Sequence, residues 1–224
     1  MIAAHSLAKH YGKTVAVSDL SLEVTPGVVT GFLGPNGSGK STTMRMIMGL
    51  DTPTAGAALV NGTPYSELRW PLREVGALLD AKAFHPFRSA YNHLLILTKT
   101  NDIPRRRIDE VPDVVGLTSV AHDRAGKYSL GMGQRLGIAG ALLGDPAVLL
   151  FDEPINGHRH RPRRLRGRGG EARGQHRRQA RPAGVAVGPP PGPGCSPLPR
   201  LLSPALLARQ EQWRGHGEVV GPDP

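Results

Sequence analysis

Cysteine occurs once in 224 residues, at Cys195, so no disulfide can form within the chain. No apolar run approaches the roughly 18–20 residues that a membrane-spanning helix needs. The first residues, Met1-Ile2-Ala3-Ala4-His5-Ser6, lack the charged-then-apolar order of a secretory leader. These absences lead to the expectation of a soluble cytoplasmic protein, recruited by separate spanning subunits if it works at a membrane. The length suffices for one α/β domain with a substantial core.

A second set of absences divides the chain. Residues 158–224 contain no Lys, Ile, Asn, Phe, Tyr, Met or Thr, while holding 13 Arg, 11 Pro and 11 Gly. Of the net charge of +10, this segment carries +9; residues 1–157 balance 15 Lys and Arg against 14 Asp and Glu. Apolar periodicity almost vanishes beyond Gly157, leaving residues 184–188 suited to a short strand and residues 198–207 to a helix. Such a composition buries too little apolar surface to offset chain entropy, so residues 158–224 are expected to be largely disordered or irregular. Its Arg-rich stretch, residues 159–181, could touch phosphates. It lacks interleaved aromatics and a folded reader, so no specific nucleic acid is expected as a partner.

What is present in the first part is chemically explicit. Residues 34–42 read Gly34-Pro35-Asn36-Gly37-Ser38-Gly39-Lys40-Ser41-Thr42. Gly34, Gly39, Lys40 and Ser41 meet the requirement of a phosphate-binding loop for Gly, four free positions, Gly, Lys and a hydroxyl. The glycines allow successive N–H groups to point inward at an anion. Lys40 reaches terminal phosphates, and the Ser41 hydroxyl can ligand Mg²⁺. An apolar run over residues 28–33 enters the loop as a predicted strand. Residues 41–50 leave it with the helical spacing of Met44, Ile47 and Met48, which sets a helix N-terminus at the phosphates. Other predicted elements are strands within residues 2–24 around a turn at Gly12 and Lys13, strands at 58–60 and 75–79, and a fully apolar strand at 147–151.

Two further segments identify a family. Tyr128-Ser129-Leu130-Gly131-Met132-Gly133-Gln134-Arg135 resembles the signature motif of the ATP-binding-cassette (ABC) transporter ATPases. Ala147-Val148-Leu149-Leu150-Phe151-Asp152-Glu153-Pro154 looks like their second nucleotide motif. The resemblance covers residues 1–157, and residues 81–94 look like the drug- and antibiotic-export branch. It implies an α/β P-loop NTPase with a parallel-sheet core and an inserted helical subdomain at about residues 84–144. It implies ATP and Mg²⁺ as cofactors, a membrane-spanning permease subunit and a second ATP-binding subunit as partners, and a location at the inner face of the membrane.

The resemblance also implies roles. Tyr11, 29 residues before Lys40, sits where the family places an aromatic that stacks on adenine. Backbone N–H groups of residues 36–42 hold phosphates, Asp152 holds Mg²⁺, and Glu153 is the general base. Ser129 and Gly131 contact the nucleotide on the opposite subunit; Ser129 also suits a helix N-cap. Asp80 stands where most members carry a Gln that touches Mg²⁺, and a carboxylate can take that role or remain solvated. Leu130 and Met132 replace a Gly and a Gln of the signature. The dimer-interface Asp and the switch His are absent as residues. His158, His160 and His176 follow no apolar strand. By resemblance, the strand before the switch His lies between the phosphate-loop strand and the Asp-Glu strand, leaving those two unpaired here unless residues 183–187 stand in.

The residue types missing from 158–224 mostly have A/T-rich codons, and those in excess have G/C-rich ones. That is how a G/C-rich gene looks when read in the wrong frame. Back-translation agrees: His158-Arg159-His160 shifted by one base can give an aliphatic residue followed by Asp, and residues 184–191 can give an apolar strand ending in Ser-Ala-His. The expectation is a boundary at 157, with an incomplete ATP-binding domain before it and an unrelated tail after it. The competing reading is a product that binds nucleotide weakly or is inactive.

Overall fold

A computed structural model describes residues 1–80 and 82–152, together with the backbone of residues 183–187 and 219–220. The first two strands, β1 (Ile2–Tyr11) and β2 (Thr14–Val24), form a hairpin through Gly12 and Lys13, as the sequence predicts; β4 (Ala55–Val60) pairs antiparallel on the other side of β1. Strict alternation from Ile2 and Ala4 would turn Leu7 outward. It is instead fully buried, because the register shifts between Ala4 and Leu7 where Ser6 adopts φ 45°. A bulge adds one residue to one strand and flips the side-chain parity beyond it.

The second sheet has five strands in the order β5-β6-β7-β3-β8, with β3 Val29–Phe32, β5 Val75–Leu78, β6 Val148–Phe151, β7 Ala183–Val187 and β8 Val219–Val220. The β5–β6 and β3–β8 pairs are parallel. The slot between β3 and β6 is filled by β7, which runs antiparallel to both. The two central strands are therefore not left unpaired. A ladder of either polarity satisfies the same backbone groups, so the slot alone does not fix the strand's direction.

Helix α1 (Lys40–Ile47) lies between the two sheets and is apolar on opposite sides. Met44 and Ile47 pack with Ile2, Val60, Val75, Val148 and Leu150, while Met46 packs with Ala4, Leu7 and Val17. Strand β6 divides its residues by period two. Val148 and Leu150 face α1, and Leu149 faces the helical layer, which explains a run with no polar residue. That layer contains α3 (Ala90–Thr100), α4 (Arg107–Val114) and α5 (Leu130–Leu142), after a short α2 (Pro71–Glu74). Helices α3, α4 and α5 fall within residues 84–144, where the resemblance implies a helical subdomain, and α2 precedes it. Buried Arg107 on α4 donates to the Leu142 and Leu143 carbonyls at 2.8 and 3.1 Å, holding the C-terminal end of α5, where positive charge is favoured.

The α5 helix approaches β5 so closely that a Cβ on Gly76 would lie 1.9 Å from the Ala141 carbonyl oxygen. Backbone cannot yield cheaply there. Gly76→Ala is expected to cost about 3 kcal/mol by overpacking, read as a lower urea midpoint. Gly131→Ala, with nothing within 4 Å of the added carbon, is the matched control and should not lower it. Equal midpoints for the two variants would contradict this packing. No helix among the described residues is long and apolar enough to cross a membrane. The sequence expectations for residues 158–224, including the domain boundary, lie outside the described residues apart from the two short strands.

Candidate nucleotide site

Three strands end at one edge of the five-stranded sheet. Because β3 and β6 both run antiparallel to β7, they are parallel to each other, and β5 is parallel to β6. Gly184 pairs with Gly31 on one side and Phe151 on the other. The end of β3 and the start of the Asp152 turn are thus nearly level, two strand spacings or about 10 Å apart. On the far side Leu78 pairs with Phe151, so Asp80 and Asp152 leave the same edge on neighbouring strands. Open α/β sheets bind ligands outside the carboxyl ends of their strands. The sequence motifs at 34–42, 80 and 152 converge on that edge although they are separated in the chain.

The phosphate loop joins β3 to α1, and close backbone approach demands glycine at Gly39. Gly39 is the residue before α1 and sits at φ 85°, with its missing Cβ only 2.3 Å from the Ala16 carbonyl oxygen of β2. A Cβ on Gly34 would fall 2.5 Å from Ser38 Oγ. The Lys40 side chain folds back over the loop, and its Nζ donates to the Gly34 and Pro35 carbonyls, both at 2.8 Å. Lys40 is buried. An ammonium has three donors, so one is left to meet an anion.

Ser38 Oγ is buried and has no hydrogen-bond partner among the described residues. No side chain caps α1, and a helix's opening amides have no partner within it. The Thr43 hydroxyl instead donates to the Gly39 carbonyl at 3.0 Å and holds the first turn in place. An orphaned hydroxyl, a spare ammonium donor and uncapped amides at a helix N-terminus fit a phosphate chain. Pro35, Asn36 and Gly37 are exposed along the loop's rim, Ser41 is exposed at the helix start, and Thr42 is half-buried beside it.

The carboxylates are positioned by backbone bonds. Asp152 is half-buried, and its N–H donates to the Leu78 carbonyl at 2.9 Å, tying the end of β6 to β5. Asp80 is exposed, and its Oδ1 accepts from the Lys82 N–H at 2.8 Å. One oxygen is therefore engaged in a local turn, and Oδ2 is the atom left for a cation. Among the described residues no group of three or more His, Cys, Asp or Glu side chains is arranged to hold a metal. Hydroxyl and carboxylate oxygens suit Mg²⁺, which is usually held by one or two carboxylates together with substrate phosphates. Glu153 lies outside the described residues.

Three expected residues lie outside the loop itself. Ser129 is the N-cap of α5, its Oγ accepting from the Met132 N–H at 3.2 Å, so the capping role is real. Ser129 is exposed and Gly131 has open space beside it, which leaves this helix end accessible. Tyr11, at the end of β1, is half exposed. Its hydroxyl donates to Asp51 Oδ2 at 2.9 Å, which with burial raises the phenol's pKa above the usual range; Thr42 lies near enough to act in the opposite sense. Sequence reading missed Thr43, Arg45 and Asp51. Thr43 had a local signal, a hydroxyl four residues after Gly39. Arg45 and Asp51 had none, because their contact forms only when the chain turns after α1.

Known proteins resemble this chain over the same region. The family profile described as ABC transporter matches residues 17–156. The chain is 43% identical over 148 residues to YhcH of Bacillus subtilis, an ABC transporter ATP-binding protein, covering 65% of this chain and 48% of that one. It is 42% identical over 159 residues to the bacitracin transport ATP-binding protein BcrA of Bacillus licheniformis, covering 70% of this chain and 52% of that one. The match thus spans about half the length of these relatives. Among solved structures, a dimeric bacterial ABC transporter cassette superposes with a TM-score of 0.63 at 25% identity, covering 69% of this chain and 74% of that one.

Proposed function

The chain belongs to the ABC transporter family, and from that premise we propose that it is the ATP-binding, ATP-hydrolysing subunit of a membrane exporter. The observation that carries this is the phosphate loop: a buried Lys40 with a donor to spare and an orphaned Ser38 hydroxyl, on the sheet edge that also presents Asp152. The bacitracin transport relative supports an antibiotic-like compound as cargo. A permease subunit would hold the chain at the inner face of the membrane.

The chemistry is phosphoryl transfer to water, in which a protein chiefly positions groups and stabilises charge. Amides of residues 36–42, with Lys40, bind the phosphates. Ser41 Oγ, Asp152 and Asp80 are the residues that would hold Mg²⁺, which when bound would neutralise charge on the phosphate oxygens. Glu153 polarises the attacking water. Tyr11 supports the adenine ring. Ser129 and Gly131, on the accessible start of α5, would close over a nucleotide bound to a second ATP-binding subunit, so the working unit is a dimer.

The test is sedimentation of the purified chain with Mg²⁺ and ATP, using Glu153→Gln to slow turnover. The expected result is a shift from monomer to dimer with ATP and no shift with AMP. A monomer under both conditions would remove the dimer from this reading, and a folded chain that takes up no ATP would remove the reading itself.

A further inference from the structure

Beyond the phosphate loop, one side-chain junction joins the end of β1 to α1 and to the turn that follows α1. Arg45 on α1 grips Asp51 with Nε on Oδ2 at 2.8 Å and Nη2 on Oδ1 at 3.2 Å. The same Oδ2 accepts the Tyr11 hydroxyl at 2.9 Å. Lys9 Nζ lies 4.9 Å from the centre of the Tyr11 ring and donates to the Thr52 carbonyl at 2.6 Å. A ring that Lys9 covers from one side, and whose residue stays half exposed, keeps a surface for stacking.

The consequence lies in geometry. Stacking depends on the angle and height of a ring, and Tyr11 is the last residue of β1, beside the hairpin turn. Without a tether its ring would sample several rotamers, and binding a base would have to order it. Asp51 removes that freedom. It fixes the phenol at one end and, through the two-pronged Arg45 bond, ties it to the helix whose N-terminus meets the phosphates. The distance between base platform and phosphate loop is then set by one rigid helix.

We propose that Asp51 is a positioning residue for nucleobase recognition, holding the Tyr11 ring at a set position relative to the phosphate loop. This rests on the ATP-binding reading. Asp51 touches no nucleotide; it acts through Tyr11 and Arg45. Its influence therefore falls on ligands that carry a base and spares those that do not.

The experiment titrates the full chain with Mg²⁺ and either a non-hydrolysable ATP analogue or inorganic tripolyphosphate. Asp51→Ala should weaken the analogue about tenfold, the worth of one charge-assisted hydrogen bond, and leave tripolyphosphate within about twofold. Tyr11→Phe keeps the ring and cuts the tether, so it should reproduce the loss. The double variant should be no weaker than either single one. Asp51→Asn, which keeps an acceptor for the phenol, should recover most of the affinity. Equal weakening of both ligands by Asp51→Ala would reveal a general structural role and overturn the proposal, as would an unchanged analogue affinity. Should Asp51→Ala fail to fold, Tyr11→Phe decides alone. A folded native chain that binds neither ligand would instead overturn the ATP-binding reading beneath it.

Discussion

Replacing Lys40 by Ala is expected to weaken binding of an ATP analogue by about 100-fold or more, the scale of roughly 3 kcal/mol for a charge-assisted contact to phosphate. The side chain has two duties. Its ammonium bonds the Gly34 and Pro35 carbonyls and so shapes the loop, and its remaining donor meets the phosphates. Removing it loses both at once. Stability should change little, by about 1 kcal/mol or less, because the freed carbonyls belong to a loop that water can reach. Binding isotherms and thermal melts on the same preparations separate the two effects. Unchanged affinity in a folded variant would show that Lys40 does not bind the nucleotide's phosphates.

Turnover is expected to behave differently from binding. Steady-state phosphate release by this chain should stay below about 1 s⁻¹, the low end for enzymes. The reason is the polarity of β7. The family resemblance calls for a strand between β3 and β6 that ends in a histidine at the nucleotide edge. The strand found there runs antiparallel to both neighbours, so its first residue, Ala183, pairs with Phe32 at that edge and its last, Val187, lies at the opposite one. β7 therefore brings its first residue, not its last, to the nucleotide edge. The family profile also stops at residue 156, next to the abrupt change in composition.

Shifting the reading frame by one base after codon 157 is therefore expected to encode an aliphatic-Asp pair at once. About thirty codons on, it should encode an apolar strand ending in Ser or Ala and then His. The restored chain should release phosphate faster and resist protease longer. An early stop codon, or no histidine in that frame, would defeat the frameshift account and leave the Arg- and Pro-rich segment to be explained as it stands. Rapid phosphate release by the present chain would defeat the turnover prediction directly.

Particular residues show why some of this was legible and some was not. The phosphate loop could be read because its function is made by consecutive backbone amides and by glycines at fixed offsets. Strand β6 could be read as a buried strand because both of its faces are covered, one by α1 and one by the helical layer, so each position is apolar. The bulge at Ser6 could not be read, since it breaks the period-two pattern that sequence reading relies on. Asp80 could not be assigned from the sequence, since one of its oxygens is taken by the Lys82 N–H in a local turn while the other stays free for a cation.

The sequence by itself determined the chemistry that is local in the chain: the loop at 34–42, the Asp-Glu strand end, the signature helix and its Ser129 cap, and through them the family. Only the tertiary structure decided the direction of β7, the gathering of Asp80, Asp152 and the loop at one sheet edge, and the junction of Tyr11, Arg45 and Asp51. Tyr11 and Asp51 lie 40 residues apart and meet through a single hydrogen bond. Backbone amides and glycine turns are encoded by their immediate neighbours. A contact between distant side chains, or the polarity of a strand that either orientation would satisfy, leaves no period or spacing in the chain and exists only once the sheets have packed around α1.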